Sequence, residues 1–161
     1  ILLIDIGPAH KFIQDTDPSC LFTSLANPFV FVGFEVFGQK LIEVYYNHFK
    51  NKGTNYVTMN DVLKVTNDNA YHCKYEKKFK FQITKEKHPN AVNFLNMKDD
   101  GCIYHCVLSN HHAIAICNNF IFDPVLKHGI LLKEKYLRLC AEVTQYESTS
   151  SIIHKCYKYS Y

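Results

Sequence analysis

Apolar residues recur at helical spacing through the first half of the chain and alternate with polar ones in the second. Residues 1–6 form an apolar run closed by Gly7-Pro8 and read as a short strand. Residues 21–26 carry a helical pattern, which Asn27-Pro28 is expected to end or kink, because proline removes a backbone donor and clashes with the preceding turn. Residues 29–37 are almost wholly apolar, and a buried helix and a buried strand both remain open. The clearest amphipathic helix is 39–50: Leu41, Val44, Tyr45, His48 and Phe49 fall on one stripe, and Gly53 follows as a stop. Thr58 or Asn60 caps a helix through Val65. Residues 71–75 and 79–84 read as strands, and His88-Pro89-Asn90 opens a helix to Met97.

Beyond the Asp99-Asp100-Gly101 turn the period changes to two. A strand over 102–108 turns at Ser109-Asn110, 112–117 runs back, and Asn118-Asn119 supplies a two-residue hairpin turn into 120–123, which Pro124 stops. A helix over 132–142 and a strand over 151–159 complete the chain. Helices early and strands late predict an α+β fold with segregated layers, as one domain over 1–161.

Composition narrows the function. With 47% apolar and 20% charged residues in 161, the chain can bury a core without covalent staples. The net charge of +3 is mild, and the densest basic stretch, 74–80, alternates with aromatics as an amphipathic strand does. No nucleic-acid partner is expected. Seven cysteines at scattered spacings, with no Asn-x-Ser/Thr site, favour a reducing, intracellular compartment. No run has membrane-spanning length, and 1–6 is too short for a signal peptide. The chain opens on Ile1 rather than Met, which reads as a domain cut from a longer polypeptide or as a processed product.

The candidate chemistry begins at Cys20. Asp17-Pro18-Ser19 is a helix-start signal, so Cys20 falls in a first turn, where unpaired N–H groups and the helix dipole favour negative charge on a nucleophilic sulfur. The plainer alternative is a small core residue. A nucleophile needs a base and a group that orients it. If Asn118-Asn119 closes a two-residue hairpin, Cys117 pairs with Phe120, Ile116 with Ile121, Ala115 with Phe122 and Ile114 with Asp123. His112 then shares a face with Ile114 and is a diagonal neighbour of Asp123, while His111 points away. A surface histidine beside a strand-ending Asp-Pro is the alternative for that pair. Asn119 is a lesser candidate orienter, because it sits in the turn. Gln14, six residues before Cys20, offers a side-chain amide to a developing oxyanion.

Gln14, Ser19-Cys20 and a hydroxyl at Ser24 resemble the nucleophile segment of papain-like cysteine peptidases, and 112–116 resembles that family's histidine strand. The order Cys, His, Asp is similar to that of its compact members, with Leu21 standing where the family carries an aromatic residue. The resemblance implies a helical layer carrying Cys20 packed on an antiparallel sheet carrying His112 and Asp123. It implies peptide-bond hydrolysis through an acyl-enzyme intermediate, with a protein or peptide substrate and no cofactor or metal. Deubiquitination, deamidation and acyl transfer use the same parts, and an inactive binding module is a further alternative. A structural zinc site built from His72, Cys73, Cys102, His105 and Cys106 competes weakly, since no Cys-x-x-Cys pair occurs.

Overall fold

The computed structural model describes residues 1–15, 19–50, 57–68, 72–74 and 77–161, with 72–74 and 77–79 described by backbone alone. Asp17, Pro18, Gly53, Tyr71 and Tyr75, and the side chains of His72 and Cys73, lie outside the described residues.

The fold is mixed α+β. A seven-stranded antiparallel sheet is built from β1 (Ile6–Ala9), β4 (Gln82–Lys85), β5 (Ile103–Leu108), β6 (Ala113–Cys117), β7 (Phe120–Phe122), β8 (His128–Leu131) and β9 (Ile153–Ser160), in the order β1-β8-β7-β6-β5-β9-β4. Strands β2 (His72–Lys74) and β3 (Lys77–Phe79) form a separate hairpin. Among the described residues, five α-helices cover the sheet: α1 (Cys20–Phe31), α2 (Glu35–Val44), α3 (Met59–Asp68), α4 (Ala91–Asn96) and α5 (Glu134–Ala141).

Helices lie on both faces. Ile103, Ala115, Cys117, Phe122 and Tyr159 point toward α1, α2 and α3, where Phe22, Phe29, Phe37 and Leu41 complete one core. Tyr104, Cys106, Ile114, Ile116 and Cys156 point toward α4 and α5, where Phe94, Tyr136 and Leu137 complete a second. This is why β6 reads Ala-Ile-Ala-Ile-Cys without a polar position: every residue of it is buried. The helices after the sheet's first strands therefore form a third layer, which the expectation of one helical layer on one sheet did not include.

Three other expectations need correction. The first strand is not 1–6 closed by Gly7-Pro8; β1 runs through both residues. It lies at the sheet edge, where a proline costs no ladder bond on its free side. Asn27-Pro28 does not end the helix, and α1 continues to Phe31. Proline inside a helix costs roughly 3 kcal/mol. Phe22, Leu25 and Phe29 are fully buried, and at roughly 1.5–3 kcal/mol each they outweigh that loss. Gly33, with φ of 100°, ends α1 instead. It resolves 29–37 as the end of one helix and the start of another. At the following helix, a Cβ on Gly38 would lie 2.9 Å from the Ala26 carbonyl, so α2 packs on α1 at a distance only glycine allows. Finally, α2 passes into a π-helical turn over Tyr45–Lys50. The wider turn rotates the apolar stripe, leaving Tyr45 buried and His48 exposed.

The remaining caps follow the sequence. Thr58 Oγ1 accepts from Asp61 N while the Asp61 carboxylate accepts from Thr58 N at 2.8 Å, a reciprocal cap for α3. Asn90 Oδ1 accepts from Val92 N at 2.9 Å at the start of α4. Among the described residues, no helix is long and apolar enough to cross a membrane.

Candidate active site

Cys20 is the first residue of α1, with Ser19 at the cap position, and its side chain is 8% exposed. One turn along the helix, Ser24 Oγ lies 2.9 Å from Nε2 of His105 on β5. The same Ser24 hydroxyl lies 3.3 Å from the Leu21 carbonyl of its own helix turn. The buried histidine thereby pins the first turn of α1 to the centre of the sheet.

His105 has a consequence for stability. It is fully buried, and burial pushes its pKa down to about 3, with the Leu21 carbonyl acting weakly in the other direction. In the unfolded chain it titrates near 6.5, so only the unfolded state takes up this proton between the two values. The contribution is complete above pH 6.5 and is lost as pH falls toward 3, on the order of 5 kcal/mol in all. His10, also depressed by burial, acts in the same direction. Urea midpoints should fall between pH 6.5 and 4.5, before most carboxylates protonate, and should fall less in His105→Leu. A midpoint independent of pH over that range contradicts the assignment.

His112 is placed by two turns. Leu108 O accepts from His111 N at 2.9 Å, and Leu108 N donates to His112 O at 2.8 Å. With His111 at φ of 66°, this is a three-residue hairpin loop ending in a left-handed residue. On the far side, Asn118 and Asn119 have φ of 50° and 64°, the two-residue turn their sequence demands. The ladder pairs Cys117 with Phe120, Ile116 with Ile121 and Ala115 with Phe122. Asp123 follows directly, and its Oδ1 accepts from His112 Nε2 at 2.7 Å. His111 is exposed, outside this pair.

Cys20 lines the same cleft as His112 from the other layer, and its thiol is among the groups that raise the pKa of the imidazole. Burial alone would lower the pKa of His112, but the bonds to Asp123 and Cys20 outweigh it and raise it to about 10. For Asp123, burial favours the neutral acid, yet the His112 imidazole, the Val125 N–H and the Cys140 thiol together hold the carboxyl below its ordinary range. The pair is therefore an imidazolium and a carboxylate at neutral pH.

Gln14 lies on the segment entering α1. Its backbone N donates to Pro124 O at 2.8 Å, beside Asp123. Asn27, on α1, clamps the same segment: its Oδ1 accepts from Phe12 N at 3.0 Å and its Nδ2 donates to Phe12 O at 2.8 Å. The Gln14 Oε1 is buried without a hydrogen-bond partner. Gln14, Cys20, His112 and Asp123 line one open cleft of about 600 Å³, with Asn110 and Cys140 on its wall. The structure thus brings together all four residues expected from the sequence. It leaves Asn119 in its turn, exposed and away from this cleft.

Among the described residues, no three His, Cys, Asp or Glu side chains converge as a metal centre requires. His105 faces α1, whereas Cys106 faces the opposite core and lies 3.4 Å, sulfur to sulfur, from Cys156. Asn27, Asn110, His105 and Cys140 are site-supporting residues that sequence reasoning missed. Asn27 was legible only as a helix breaker, and the others act through contacts distant in the chain. No family model, no curated protein and no solved structure matches this chain. The functional reading therefore rests on the site's own geometry.

Proposed function

We propose that this chain is a cysteine peptidase of papain-like type, with a helix-borne nucleophile and a sheet-borne base. The observation that carries the reading is the convergence of Cys20 with the His112–Asp123 pair, bonded at 2.7 Å, in one open cleft. The Cys20 sulfur attacks the scissile carbonyl carbon, with its proton residing on His112. The carbonyl oxygen becomes an oxyanion, held by the Gln14 amide and by the Cys20 backbone N–H at the helix start. When the C–N bond breaks, His112 gives its proton to the departing amine, leaving a thioester on Cys20. His112 then takes a proton from water, whose oxygen attacks the thioester, and returns it to the sulfur as the acid leaves. Asp123 keeps the ring oriented with Nδ1 toward the sulfur throughout.

The test is digestion of a complex peptide library by the folded protein, with new termini read by mass spectrometry. Cleavage that stops on prior alkylation of Cys20 is the expected result. An uncleaved library, with Cys20 still selectively reactive, assigns the site to another acyl reaction such as amide deamidation or acyl transfer. An unreactive Cys20 overturns the hydrolase reading altogether.

A further inference from the structure

A second open groove, of about 670 Å³, adjoins the cleft. Lys87, His88 and Asn90, on the segment entering α4, line it together with His154 and Lys155 of β9. The groove exists because β4 leaves β9. Their pairing ends at Lys85 with Tyr157, and Glu86 N donates once more, to Cys156 O at 2.9 Å. His88-Pro89 then turns the chain away, since a proline cannot donate to a ladder. Ile153 and Lys155 stay paired on their other side with Leu108 and Val107 of β5. Toward the groove, the edge of β9 over 153–155 has no strand partner among the described residues.

Groove and cleft meet at two rings. His111 lines the cleft and His154 lines the groove, and their rings stand edge to face with centroids 6.5 Å apart. That distance is about two residues of extended chain. The loop beneath is tied down by Ser109 N, which donates to Ile152 O at 2.8 Å.

The charge of the groove has one sign. Lys11, Lys50, Lys133 and Lys158 each face a carboxylate, whereas Lys87 and Lys155 are exposed and pair with none among the described residues. No Asp or Glu lines the groove. Glu86 bears on Cys156 and Tyr104 instead. The cleft differs, being lined by the carboxylates of Asp123 and Glu142.

We propose that this groove binds an acidic stretch of the peptide substrate, which runs from the cleft past His111 and His154 along the open edge of β9. This rests on the reading of the cleft as a peptidase site. The backbone of an extended peptide adds to the free strand edge, while its Asp or Glu side chains meet Lys87 and Lys155. The edge selects extended polypeptide, and the two unpaired cations select negative charge. A nucleic acid fits less well: no Phe or Tyr lines the groove to stack a base, and two lysines neutralise few phosphates.

The experiment has two arms. In the first, labelled hexaglutamate and hexaglutamine are titrated with the folded protein at low salt and followed by fluorescence anisotropy. Hexaglutamate should bind about tenfold more tightly. The difference should vanish in Lys87→Glu/Lys155→Glu and shrink in high salt. Lys87→Gln/Lys155→Gln serves if the charge reversal fails to fold. Equal binding of the two peptides, or a preference kept in either folded variant, overturns the proposal. A short single-stranded DNA that binds more tightly than hexaglutamate, and loses affinity in the same variants, also overturns it and assigns the groove to nucleic acid. In the second arm, the sequences cleaved from the peptide library should be enriched in Asp and Glu on one side of the cut, and the enrichment should be lost in the double variant. Cleavage without that enrichment overturns the link between groove and cleft. An uncleaved library with hexaglutamate still preferred overturns the peptidase reading alone, and the groove's preference for acidic peptide stands.

Discussion

Cys20→Ala is expected to lose hydrolysis by about 10⁶-fold, down to background, while remaining folded and able to bind substrate. The loss is large because the other described thiols are poorly placed to substitute. Cys117 is buried, and its pKa is pushed up to about 12 by burial. Cys106 and Cys156 are fully buried against each other, and burial holds the Cys140 thiol well above its ordinary pKa. Cys102 is the most accessible, but its sulfur lies 3.5 Å from Ser160 Oγ at the sheet rim rather than beside an imidazole. The cost in stability should be small, since Cys20 contributes a small side chain at a helix start rather than a large one in the core. Steady-state hydrolysis and urea denaturation separate the two effects. Activity retained in a folded Cys20→Ala protein removes Cys20 from the mechanism.

The second large effect belongs to Asp123. In Asp123→Ala, hydrolysis should fall on the order of 10²–10⁴-fold at neutral pH, by analogy with removal of an orienting carboxylate from other triads. The direction of the pH change is fixed by the balance at His112. Its pKa stands at about 10 because the Asp123 and Cys20 contacts outweigh the effect of burial. Without the carboxylate, burial pulls the imidazole down, so the alkaline limb of kcat/KM should move from near 10 toward neutrality. The same linkage bears on stability. A histidine raised on folding stabilises fully below pH 6.5 and loses that contribution as pH rises toward 10. Wild-type stability should therefore decline over that range and Asp123→Ala should decline less. An alkaline limb that stays put in Asp123→Ala shows that the aspartate does not govern the imidazole.

What could be read from the sequence was what short-range rules determine. Asn118-Asn119 requires a two-residue turn with both residues left-handed, that turn sets the register, and the register puts His112 and Asp123 on one face. Gln14 and Cys20 were legible as a spacing around a helix start. Pro28 misled because local propensity was weighed without the burial of Phe22, Leu25 and Phe29 on the face that α1 presents to the sheet. Strand β8 escaped because four residues between a proline loop and a helix carry too little alternation to register. The cleft wall was illegible for a different reason. Cys140 lies 30 residues from the asparagine that bonds its carbonyl, and nothing in the sequence of α5 marks its last turn as lining the cleft.

Competitive alkylation tests the central claim most directly. The folded protein is treated with substoichiometric iodoacetamide at pH 7, and all seven cysteines are mapped by peptide mass. Among the described residues accessibility favours Cys102, since Cys20 is only 8% exposed. A thiol that shares its proton with His112 predicts the reverse: the first label on Cys20, and loss of that preference in His112→Ala. Label on Cys102 first, with Cys20 unmodified until the protein unfolds, would contradict the account.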